Sequence, residues 1–128
     1  MFKRIDHVEI IPANFDRTLS FYTQTLGFTM GERRRIGRPP LEEIVYLKLG
    51  DTVIELMSVT SSTPMSKEPW RVSYKRIAIE VENMESAVEY LKSKGVEMTT
   101  GPVNLGTSSR AEFEDPDGLS IELRQWFT

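Results

Sequence analysis

The chain has 128 residues, with 16 Lys plus Arg against 19 Asp plus Glu, a formal net charge of -3, and 39% hydrophobic and 27% charged residues; this is a folded globular composition and excludes a disordered or fibrous chain. The acidic balance lacks the field that sequence-independent nucleic-acid or anionic-membrane binding relies on, so neither partner is expected. Zero cysteines and a single histidine, His7, remove disulfides, cysteine nucleophiles, thiolate metal sites and any multi-histidine site built from one chain.

No apolar run approaches the roughly 18 residues that span a bilayer, and the first residues lack a signal-type apolar region, so a cytoplasmic protein is expected. Residues 5–10 carry apolar side chains at period two and predict a half-buried strand. Asn14 is placed to cap a helix in which Phe15, Leu19, Tyr22 and Leu26 recur at helical spacing, and Gly27 sits where a left-handed terminus belongs. Strands follow at 28–35, 43–49 and 52–59, the last two joined by Gly50-Asp51. The Ser-, Thr- and Pro-rich stretch 60–70 reads as a linker.

The same order then returns. A strand at 76–81 precedes a helix capped by Asn83, carrying Met84, Val88 and Leu91 and ending near Gly95; strands at 96–100, 108–114 and 119–126 follow, with Asp115-Pro116-Asp117-Gly118 as a turn. Asp6-His7-Val8-Glu9-Ile10-Ile11 aligns with Lys75-Arg76-Ile77-Ala78-Ile79-Glu80, and Val53-Ile54-Glu55-Leu56 with Ser120-Ile121-Glu122-Leu123. The chain therefore reads as an α+β domain of two βαβββ modules, one at 4–59 and one at 71–127. Each is too small to be comfortable alone, so a single domain with curved mixed sheets around a shared cleft is expected.

Strand parity sorts the side chains. Val8, Ile10, Ile54, Leu56, Ile77, Ile79, Ile121 and Leu123 fall on the face that a helix should cover. The opposite face carries His7, Glu9, Glu55, Arg76, Glu122 and Arg124, too ionisable for a second core. In the repeat, His7 is the mate of Arg76 and Glu55 the mate of Glu122.

On the strength of Asp6-His7-Val8-Glu9-Ile10, Phe21-Tyr22 through Leu26-Gly27-Phe28, Val53-Ile54-Glu55-Leu56, Arg76 to Val81, and Asp115-Pro116-Asp117-Gly118 with Ile121-Glu122-Leu123, the chain resembles the vicinal oxygen chelate superfamily over nearly its whole length. That superfamily includes glyoxalase I, methylmalonyl-CoA epimerase, the fosfomycin and bleomycin resistance proteins and extradiol dioxygenases. The resemblance implies a divalent metal (Ni, Mn, Zn or Mg) held through His7, Glu55 and Glu122, a small-molecule substrate presenting two adjacent oxygens, and a homodimer. Arg76 departs from the glyoxalase pattern, which has a second histidine there. A guanidinium about 5 Å from a divalent ion is repelled by about 6 to 7 kcal/mol at an effective dielectric of about 20, whereas it attracts each carboxylate by about half that. Two outcomes stay open: Arg76 swings aside and the metal binds, or Arg76 replaces the metal and holds an anionic ligand.

The resemblance thus implies a lactoylglutathione lyase-like lyase or isomerase, with Glu122 or its mate Glu55 removing a proton next to a carbonyl and its carboxyl raised toward neutrality by burial. The alternative is a non-catalytic binder of the bleomycin-resistance type. A dioxygenase is disfavoured, since its iron site takes two histidines and one carboxylate. Glu9, Tyr74, Glu80 and Arg124 read as cleft wall or surface, Arg33-Arg34-Arg35 with Arg38 as a solvated hairpin, and Trp70, Trp126 and Phe127 as packing residues.

Overall fold

The computed structural model describes residues 1–128. The chain divides into two compact units, Met1–Ser66 and Lys67–Thr128. The first holds β1 (Val8–Ile10), α1 (Phe15–Ser20), β2 (Thr29–Arg38), β3 (Leu41–Leu49) and β4 (Thr52–Val59); the second holds β5 (Ile77–Glu80), α2 (Met84–Ser93), β6 (Thr100–Asn104), β7 (Ser108–Glu114) and β8 (Ser120–Trp126). Each unit is a βαβββ element whose four-stranded sheet is mixed, in the order β1-β4-β3-β2 or β5-β8-β7-β6. The first strand of each runs parallel to the last, and the other neighbours are antiparallel. The fold is α+β, as the periodicities indicate.

The repeat extends to the register. Val8 faces Ile54 and Glu9 faces Glu55 in the first unit, as Ile77 faces Ile121 and Ala78 faces Glu122 in the second. Both helices start where an asparagine stops the extended chain: Asn14 Oδ1 accepts from the Arg17 amide at 2.9 Å and Asn83 Oδ1 from the Ser86 amide at 2.9 Å. Both end at glycines with positive φ, 82° at Gly27 and 81° at Gly95, a region that side chains with a Cβ avoid.

The helix-covered faces form the cores. In the first unit Leu19, Tyr22, Phe28, Val45, Leu47, Ile54 and Leu56 are buried; in the second Met84, Leu91, Ala111, Phe113, Ile121 and Leu123 are. Val8, expected among them, is 40% exposed because β1 is an edge strand.

Four boundaries differ from the sequence expectation. β1 starts only at Val8, and Ile5, which that register places beyond the end of β4, is 81% exposed. The first helix widens into a π-helical turn at Phe21–Thr25, where the Thr23 hydroxyl donates to the Leu19 carbonyl at 2.8 Å and the Leu26 amide reaches back to Phe21 at 3.1 Å. β2 and β3 extend to a turn at Pro39-Pro40, with Arg38 facing Leu41. The strand expected at 96–100 begins only at Thr100, since the Val96 amide is spent on the Leu91 carbonyl at 2.9 Å in closing α2. Residues 61–76 contain neither helix nor strand.

One other expectation changes. Trp70, Trp126 and Phe127, expected to pack, remain 86%, 53% and 41% exposed, with the Arg124 guanidinium 5.2 Å from the Trp126 ring centre. The arginine run is exposed on the β2–β3 hairpin, as expected; it lies on the edge strand β2, where Arg33 pairs with Glu43 and Arg34 with Glu32, an arrangement that keeps a sheet edge from pairing with another chain.

Candidate functional site

In the first unit, three chemically active side chains come together on the face away from the helix. Parallel pairing sets Glu9 beside Glu55, and His7 stands one residue before β1. His7 Nε2 lies 3.1 Å from Glu9 Oε2 and 3.2 Å from Glu55 Oε2. Its Nδ1 is 2.9 Å from Asp6 Oδ2. A carboxylate on Nδ1 fixes the ring's orientation and leaves Nε2 for the cluster, the arrangement typical of a metal-binding histidine with an outer-shell acid. The Tyr46 ring meets the His7 ring edge-on at 6.0 Å, and Tyr46 faces Glu55 across β3 and β4.

The electrostatics describe an acidic pair short of positive charge. Burial raises the Glu55 carboxyl above its ordinary value, and the hydrogen bond and charge of Glu9 push it further, against opposing effects of His7 and Tyr46. The imidazole of His7 is raised in turn by its bonds to Asp6 and Glu9 and by the Glu55 charge. The Glu55 charge, burial and their shared hydrogen bond raise the Tyr46 phenol. Ligand atoms of His7, Glu9 and Glu55 all lie within 4.8 Å of one another, and one imidazole with two carboxylates is a donor set suited to Mn, Ni, Zn or Mg. These residues fit a divalent cation, which would relieve the repulsion between two neighbouring carboxylates.

The second unit uses the matching face differently. Glu122, buried like Glu55 though slightly less so, is held by Arg110 (Nη2 to Oε1, 2.7 Å) and by Arg124 (Nη2 to Oε2, 2.9 Å). Burial would raise its carboxyl, but the hydrogen bonds and charges of the two arginines outweigh this and hold it below its ordinary value. The rise anticipated for a buried glutamate therefore occurs at Glu55 and is reversed at Glu122. Arg76 donates to Ser120 Oγ at 3.1 Å and pairs with Glu112 at 2.9 Å. The cation at Glu122 is thus supplied by Arg110 and Arg124, whereas Arg76 passes over β8 to a carboxylate on β7.

His7 and Glu55 meet in the first unit, and Arg76 and Glu122 share the sheet face of the second. Arg124 reads as wall or surface in the sequence although it holds Glu122, and Asp6, which bonds His7, has no site role there; Glu9, Arg110 and Glu112 escape the sequence reading too. Glu9 reads as wall until the register sets it against Glu55. Arg110 and Glu112 alternate with the buried Ala111 and Phe113, so the parity argument, carried onto β7, would have found them.

Residues 4–123 match the family described as the Glyoxalase/Bleomycin resistance protein/Dioxygenase superfamily. The chain is 32% identical over 123 residues to "Uncharacterized protein YaeR" of Escherichia coli (strain K12), covering 94% of this chain and 95% of that one. It is 30% identical over 124 residues to the lactoylglutathione lyase of Escherichia coli O157:H7, covering 94% and 90% respectively. The crystal structure of the glyoxalase family protein from Enterococcus faecalis superposes with a TM-score of 0.84 at 27% identity, over 96% of this chain and 98% of that one. With its paired βαβββ units and a family match over nearly its whole length, the chain belongs to the glyoxalase/bleomycin resistance/dioxygenase superfamily.

Proposed function

We propose that this protein is a glyoxalase-like lyase or isomerase that moves a proton next to a carbonyl of a small substrate with two adjacent oxygens, using a divalent metal held by His7, Glu9 and Glu55. The observation that carries the reading is the convergence of His7 Nε2 on two carboxylates, one buried and raised, in a relative of lactoylglutathione lyases. When bound, the cation supplies Lewis-acid polarisation of the substrate oxygens. Asp6 holds His7 in the orientation that directs Nε2 to the cluster. Glu55, the matched glutamate that no arginine neutralises, accepts the substrate proton. Tyr46, which faces Glu55 across β3 and β4, forms the wall beside its carboxylate. Glu122, already committed to two guanidiniums, serves charge placement on the second unit rather than proton transfer. A homodimer in the cytoplasm is part of the same reading.

The test is turnover of 2-oxoaldehyde–thiol hemithioacetals and of acyl-CoA epimers after chelator treatment and reloading with Ni, Mn, Zn or Mg. Metal-restored turnover that falls by about 100-fold or more in Glu55→Gln and survives in Glu122→Gln is the expected result. Failure of every metal to restore turnover, or a wild-type rate in Glu55→Gln, overturns the proposal. One feature favours a second reading, a non-catalytic binder: Arg76 occupies a position where the glyoxalase pattern has histidine, and Glu122 is closed by arginines. That reading requires stoichiometric ligand retention without turnover.

A further inference from the structure

The sheet of the second unit carries a group of charges that the proposed proton transfer does not use. Glu112 faces Glu122 across β7 and β8, and Arg110 faces Arg124 in the same ladder, so all four side chains share one face. Every carboxylate oxygen there is engaged. Glu112 Oε1 meets Arg76 Nη2 at 2.9 Å and accepts from Ser120 Oγ at 3.4 Å, while its Oε2 meets Arg110 Nη2 at 3.0 Å. Glu122 Oε1 accepts from Arg110, and its Oε2 accepts from Arg124.

The donors are not used up in the same way. Arg124 Nη1 goes to Ser108 Oγ at 3.2 Å, but the Nη1 groups of Arg76 and Arg110 have no acceptor within the chain. These two guanidiniums flank a single carboxylate, Glu112, and their side chains are 26% and 22% exposed, so solvent and solutes reach them. Beside Glu122 the first strand contributes only the small, exposed Ala78, where the first unit has Glu9. The remaining acids of this face, Glu80 opposite Arg124 and Glu114 at the far end of β7, are both solvent-exposed. Among the engaged groups of this face, three guanidiniums (Arg76, Arg110 and Arg124) meet two carboxylates (Glu112 and Glu122). Guanidinium forks with spare N–H groups and a local positive excess match the oxygens of a carboxylate or phosphate.

We propose that Arg76 and Arg110 form an oxyanion-binding site on the second unit that takes the carboxylate or phosphate group of a small ligand. The site goes beyond the proton-transfer reading and stands on second-unit residues alone, so it succeeds or fails independently of the metal. Glu112 acts as the internal competitor that keeps both guanidiniums in place when the site is empty.

The experiment is calorimetric titration of full-length, metal-free protein with sodium phosphate and, separately, with sodium acetate at constant ionic strength. Saturable binding of at least one anion is expected, and the anion that binds identifies the group recognised. Arg76→Gln should weaken it by about tenfold or more, and Glu112→Gln should tighten it by removing the charge that competes for Arg76 and Arg110, with Arg110 still held by Glu122. Loss of Arg110 could unfold the sheet by stripping Glu122, so Arg76→Gln and Glu112→Gln carry the test, with thermal unfolding confirming that both fold. Absence of saturable binding by either anion, or an affinity unchanged in both variants, overturns the site.

Discussion

Glu9 and Glu55 stand opposite each other across the parallel pairing of β1 with β4, with His7 Nε2 within 3.2 Å of an oxygen from each. The same place in the second unit holds Ala78 and Glu122, and there the charge is balanced by guanidiniums. One repeat has thus produced a face that lacks a cation and a face that carries its own.

The first prediction concerns metal binding by the acidic face. Elemental analysis after loading and removal of excess should find about one divalent ion per chain, lost in His7→Ala. Asp6→Asn, which leaves the ligands in place but weakens the acceptor at Nδ1, should lower metal affinity by about 10-fold or more. Unchanged affinity in Asp6→Asn would show that the carboxylate does not set the ring.

Glu122 supplies a pH signature. Its carboxyl is lowered from an ordinary 4.5 on folding, so its stabilising contribution is fully present above that value and is lost as pH falls through the lower folded value. Glu122→Gln should therefore destabilise the protein at pH 7 by about 2 kcal/mol, and the gap should narrow below about pH 4.5. Denaturant melts of both proteins at several pH values measure it; a gap that widens with acid would contradict the assignment.

Backbone geometry around β6 supports a third prediction. Gly101 has φ of 76°, and an added Cβ would lie 2.8 Å from the Arg110 carbonyl oxygen, whereas Gly37, at 62°, has nothing within 4 Å of that position. Gly37→Ala should cost about 1 to 2 kcal/mol from the left-handed backbone alone, and Gly101→Ala should cost more because backbone must also move. Equal losses of stability would show that the sheet yields freely at that point.

The helix caps give a fourth. Asn83→Ala leaves the Ser86 amide without its acceptor and should cost about 1 kcal/mol, with a similar loss for Asn14→Ala at the Arg17 amide. Thermal melts would read both. An unchanged midpoint in either variant would mean that water replaces the cap without loss.

The sequence by itself determined the repeat, the α+β class, both helix caps and the strand face on which each candidate residue lies, because these follow from local periodicity and from residues with narrow backbone preferences. His7, Glu55, Arg76 and Glu122 could be named for that reason, as could the mating of His7 with Arg76. What partners those side chains take was decided only by the tertiary structure. Glu9 joins His7 and Glu55 through the register of two strands about forty residues apart in sequence, a relation that no local pattern encodes. Arg76, long enough to pass over β8, settles on Glu112, while Arg110 and Arg124 take Glu122 because they flank it on β7 and β8. The π-helical turn and the late start of β6 have the same origin: single hydrogen bonds, from the Thr23 hydroxyl and the Val96 amide, prevail over the propensity of their segments.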